Sequence, residues 1–122
     1  MLGLAAPGCA LFEWRVARRD GDDELEPQPA HRHAQQREQI TWLDDSAGEL
    51  DAYMWVIADA TQALAVAGIM GGASSAVSSA TQHVLLEAAF FVPQQHAGKA
   101  RQLGMHTDSS HRFERGVDRL CA

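Results

Sequence analysis

Glu87 stands alone in the apolar run VLLEAAFF, residues 84–91. An ionised carboxylate taken out of water without a partner is costly, so it finds a donor or shifts its pKa. Two chemistries fit. Glu87 is either a structural carboxylate satisfied by an arginine or backbone amides, or an acceptor lining a pocket and waiting for a ligand's donor. A second group of reactive side chains sits in GMHTDSSHRFERG, residues 104–116. His106, Asp108 and His111 match no standard zinc spacing such as HExxH, and no metal site is expected. His31 and His33, in an expected loop, are not taken as ligands either. Ser109 or Ser110 beside a histidine lacks the glycine pattern of a nucleophile elbow. Threonine, aspartate and two serines ahead of a helix more often cap it than catalyse. The third stretch is AGIMGG, with Gly68, Gly71 and Gly72 directly after an apolar run. Glycines there permit positive φ or close approach of a ligand to the backbone, although a tight turn alone would explain them. Neither a Walker loop nor the GxGxxG dinucleotide pattern is present.

The elements that must hold these groups are legible from Arg32 onward. EQITWLD reads as a short strand closed by the polar turn Asp44 to Gly48. MWVIAD and ALAVAGIM are compact apolar runs, each the length of one buried strand. ASSAVSSAT is a loop of small residues. QHVLLEAAFF reads as a third strand with both faces apolar, which places it centrally in a sheet. A helix is expected from Pro93, which suits a first helical position, to a stop at Gly104. A second is expected after Asp108, Ser109 or Ser110 as N-cap, running to the end of the chain. Strands first and helices later make the class α+β, with a mixed β-sheet core.

Residues 1–31 contrast with this. RRDGDDELEPQPAHRH mixes charges with prolines and has no hydrophobic period, so it reads as loop or disorder. The expected division is a poorly defined segment 1–31 followed by a domain over 32–122.

The chain has 122 residues, 46% hydrophobic, a length that fits one globular domain with a modest core. No apolar run is long enough to span a membrane, and no basic start marks a signal peptide, so a cytoplasmic protein is expected. Cys9 and Cys121 lack a CxxC spacing and read as reduced thiols. The net charge of −6 argues against a dedicated nucleic-acid binder. Residues 96–122 are locally basic, however, and such a patch can still touch phosphates.

Three separated blocks go beyond generic motifs. WVIADATQALAVAGIMGG, TQHVLLEAAFF and ARQLGMHTDSSHRFERGVD, in this order, resemble the editing domain of the bacterial phenylalanyl-tRNA synthetase β chain. The likeness runs from about Arg32 to Asp118. It implies a domain that hydrolyses tyrosine wrongly attached to the phenylalanine tRNA. The family's pocket positions fall on Gly71, Glu87, Thr107 and Ser109, with Gly71 and Thr107 orienting substrate and water and no covalent catalyst. It implies tRNA(Phe) and a synthetase α chain as partners, in a heterotetramer of two α and two β chains. No cofactor is implied for this segment, ATP and magnesium serving the complete synthetase. Two departures stand out: no histidine occupies the place of a pocket histidine that the family draws from an earlier segment, and Arg119 replaces the usual proline. The alternative reading is a non-catalytic structural or RNA-docking piece.

Overall fold

The computed structural model describes residues 9–13, 30–82 and 84–116, with the backbone alone for 9–13 and 84–88. Among the described residues eight strands occur in the order β1 (Cys9–Glu13), β2 (Ala30–His33), β3 (Glu38–Thr41), β4 (Ala47–Leu50), β5 (Trp55–Ala58), β6 (Ala63–Val66), β7 (Met70–Gly71) and β8 (Val84–Ala88). A 3-10 turn, Ala73–Ser75, follows β7, and three helices close the described chain: α1 (Pro93–His96), α2 (Lys99–Gln102) and α3 (Asp108–Arg115). The class is α+β, as expected, and every described pairing is antiparallel.

The central sheet has the order β2-β5-β6-β7. Side chains alternate across it, so its two faces differ by residue parity. Val56, Val66 and Met70 share one face and join Ile40, Trp42, Leu50, Met54 and Ala100 in the main core. Leu50 and Val56 are fully buried there. Truncating such a side chain to alanine costs about 2–5 kcal/mol for leucine, because the cavity adds to the lost transfer energy. On the other face Ile57, Ala65 and Gly71 align through their register, and Ile57, Ala65 and Ala67 pack with Trp55 and Phe91.

The hairpin β3–β4 is joined to this sheet by a bridge between Trp42 and Gly72. Glu38 strengthens the junction. Its carboxylate accepts from both terminal nitrogens of Arg32 at 2.8 and 2.6 Å, and from the amides of Gln35 at 2.8 Å and Ala63 at 3.1 Å. One side chain thus ties β2, β3 and β6. The Arg32 bond, with help from the two amides, holds the Glu38 carboxyl below its ordinary pKa against a smaller effect of burial.

Several expected elements take a different form. ALAVAGIM is not one strand but the hairpin β6–β7, turned at Ala67–Ile69 with Gly68 at φ 70°. The left-handed conformation admits glycine readily and ends the strand there. The expected helix from Pro93 to Gly104 is two short helices, because Gly98 at φ 76° breaks the ladder between them. The second helix is capped by Thr107, not by Asp108, Ser109 or Ser110, and it ends at Gly116 instead of running on. Residues 1–31 read as loop, yet a strand lies at Cys9–Glu13, paired with β8, and β2 begins at Ala30. The only described ladder of β8 is this pairing in a two-stranded sheet, which differs from the central position expected for it. His31 and His33 lie on β2, not in a loop.

Candidate functional site

Thr107 is positioned by two backbone groups. Its Oγ1 accepts from the Ser110 amide at 3.0 Å and donates to the Ile69 carbonyl at 2.8 Å. The first bond is the N-cap of α3, completed as a capping box by the Ser110 hydroxyl, which meets the Thr107 amide at 3.2 Å. The second crosses from the helix to the β6–β7 turn. A hydroxyl has one hydrogen and two lone pairs. With its hydrogen on Ile69 and one lone pair on Ser110, Thr107 keeps a single lone pair, so it can accept one more bond but donate none. Its proton lies on a backbone carbonyl and not on a base, so no described group activates the hydroxyl as a nucleophile.

Gly71 lies two residues beyond Ile69, so the structure brings these two expected site residues to the same turn. Among the described residues, a Cβ built on Gly71 would meet nothing nearer than the Leu43 side chain at 3.7 Å, an ordinary contact. Its neighbour is different: at Gly72 a Cβ would lie 2.7 Å from the Leu64 carbonyl, which already accepts the Gly72 amide. Among the described residues the packing demands glycine at 72 and places no such constraint on 71. Ser109, half-buried, is in the first turn of α3. Glu87 pairs with Ala10 in the β1–β8 ladder, and its side chain lies outside the described part. What can be followed is Phe91, three residues beyond the end of β8, which packs on the sheet face that Gly71 shares.

His106 and His111 are both exposed, with ring centroids 6.0 Å apart at nearly a right angle. Among the described residues no cluster of His, Cys, Asp or Glu is disposed to hold a metal ion. Two open hollows lie nearby. One is bounded by Gln39, Thr41, Gln62 and Ser74, the other by Arg101, Met105, His106, Ser110 and Glu114. Neither borders Gly71 or Thr107.

Sequence reasoning missed three members of this region. The Ile69 carbonyl, which receives Thr107, carries no side-chain signal. Leu43, beside Gly71, was read only as part of a strand. His96, in QQHAGKA, is buried with Phe91 and Phe113, and nothing in its local pattern announces that.

An antiparallel sheet with a glycine turn pinned to a capped helix is the architecture within which the known relatives can be compared. Residues 22–122 match the B3/4 domain family, and the chain belongs to it. It is similar to the phenylalanine–tRNA ligase beta subunit of Francisella tularensis subsp. tularensis, 51% identical over 96 residues, 79% of this chain and 12% of the relative. The beta subunits of Vibrio vulnificus and Haemophilus influenzae are 59% and 54% identical over 87 residues, 71% of this chain and 11% of each relative. The resemblance to the bacterial phenylalanyl-tRNA synthetase β chain is thus borne out. The chain spans 11–12% of the length of these relatives.

Proposed function

We propose that this chain carries an editing site that hydrolyses tyrosine esterified to tRNA(Phe), within a phenylalanyl-tRNA synthetase. The observation that supports this reading is the spare room at Gly71. Among the described residues its Cβ position meets only Leu43, at 3.7 Å, so none of them requires glycine there and the missing side chain leaves room beside the turn for a ligand.

The chemistry follows from discrimination. A pocket built for phenylalanine rejects an added hydroxyl by only about 10²-fold, so a second sieve is needed. A site with a buried acceptor reverses the preference. Glu87 would accept the phenolic O–H of tyrosine and be left unpaired by phenylalanine, a mismatch worth about 10⁴-fold. Water adds to the ester carbonyl carbon, and the ribose oxygen leaves with a proton. Since the ester is already activated, orientation supplies much of the rate. Thr107, with one lone pair left, accepts a bond from the water or from the substrate ammonium, while the Gly71 backbone lets the ester approach and Ser109 bounds the site.

On this reading the partners are tRNA(Phe) and a synthetase α chain, in a cytoplasmic heterotetramer of two α and two β chains. ATP and magnesium belong to the aminoacylation site of that assembly, outside this segment. The test places Glu87→Ala in the complete synthetase and compares hydrolysis of tyrosyl- and phenylalanyl-tRNA(Phe). The preference for the tyrosyl ester should fall. An unchanged ratio of the two rates would remove Glu87 from the pocket, and no hydrolysis by the unaltered protein would favour a non-catalytic docking piece.

A further inference from the structure

His96, the last residue of α1, is 4% exposed. Its ring centroid lies 4.9 Å from that of Phe91 and 5.8 Å from that of Phe113, and the two phenyl rings meet edge to face at 5.2 Å. The third wall is Gly68, where a Cβ would stand 3.3 Å from the imidazole Nδ1 and 2.9 Å from Phe113. The Nε2 atom is buried and has no hydrogen-bond partner among the described residues. A neutral imidazole tolerates this with one unsatisfied nitrogen, whereas an imidazolium carries two N–H donors and a charge into a pocket of hydrocarbon.

We propose that His96 is an acid-sensitive latch: as the neutral ring it packs α1 against α3 through Phe91 and Phe113, and on protonation it leaves this pocket and frees residues 89–97. The charged and titratable groups around it do not offset that. On α3, Glu114 is near enough to favour the charged ring, but its carboxylate already accepts the Gly98 amide at 3.2 Å, and Arg112 and Arg115 are exposed. On β2, His31 meets Phe91 edge to face, at 5.7 Å. The β6–β7 turn presents Ala67 and Gly68, neither of which titrates, and the rest of α1 is Pro93, Gln94 and Gln95. Lys99 at the start of α2 lies over the Tyr53 ring, at 5.7 Å.

Burial pushes the His96 pKa down from its ordinary 6.5, with Glu114 opposing more weakly. The sign is therefore that of a histidine held neutral by the fold. Its contribution is complete above about 6.5 and is lost as pH falls through that value towards the lower folded one. What opens is the segment carrying Phe91, four residues after Glu87, so the latch acts on the exit of β8 whatever the chain's activity.

The experiment is amide hydrogen exchange of the full chain at pH 8 and pH 5.5, corrected for intrinsic rates, with the thermal midpoint measured at both. Exchange in residues 89–97 should rise severalfold at the lower pH. His96→Leu should abolish that rise while keeping the pH 8 protection, and His96→Met provides the same test if the leucine variant does not fold. His31→Leu should leave the acid response intact. The inference is overturned by an unaltered chain with no acid-dependent opening, by His96 variants that retain the opening, or by a response that disappears with His31.

Discussion

The hydroxyl of Thr107 donates to the carbonyl of Ile69 at 2.8 Å, fastening the first turn of α3 to the hairpin that carries Gly71. The same oxygen caps the helix through the Ser110 amide. One side chain therefore sets both the start of a helix and its place against the sheet.

Thr107→Val removes both bonds and leaves the Ile69 carbonyl without this donor. A lost N-cap and a lost part-buried hydrogen bond together should cost about 1–3 kcal/mol. Thr107→Ser keeps the hydroxyl and should recover most of the loss. Urea denaturation of the three proteins decides it, and equal stability of the valine and threonine forms would refute the tether.

Gly71 and Gly72 should respond oppositely. Gly71→Ala adds a methyl in ordinary contact with Leu43 and should change stability by no more than about 0.5 kcal/mol. Gly72→Ala drives a Cβ to 2.7 Å from the Leu64 carbonyl and should destabilise by over about 1 kcal/mol, since backbone must move. On the proposed editing function, Gly71→Val in the complete synthetase should reduce deacylation beyond what any fall in its thermal midpoint accounts for. An activity loss fully accounted for by stability would return Gly71 to the role of a turn residue.

Glu38 has a lowered pKa, so its contribution to stability is present above about 4.5 and is lost as pH falls through the folded value. Glu38→Gln removes the charge that accepts from Arg32 and should cost about 2 kcal/mol near neutral pH. The deficit relative to the unaltered chain should shrink below pH 4. Parallel denaturation curves at pH 7 and pH 3.5 measure this, and a deficit independent of pH would show that the carboxylate charge contributes nothing.

What the sequence by itself determined is local. The apolar runs around Val56 and Leu64 mark strands because burial on a pleated sheet requires them to be continuous, and Pro93 marks a helix start because its ring presets φ. The three blocks around Gly71, Glu87 and Thr107 were enough to indicate the family. Tertiary structure decided the rest. ALAVAGIM folds back at Gly68 because β6 can pair on both sides, with β5 and β7, a choice no local period records. The Arg32–Glu38 clamp reaches Ala63, 25 residues beyond Glu38, and only the sheet brings that amide to the carboxylate. Thr107 and Ile69 are 38 residues apart and meet through a backbone carbonyl, which every residue possesses and which therefore leaves no mark in the sequence. His96 looks like a polar residue on a short helix until Phe91 and Phe113 close over it. Its burial is decided by packing between elements, and packing is not encoded in the spacing of any one of them.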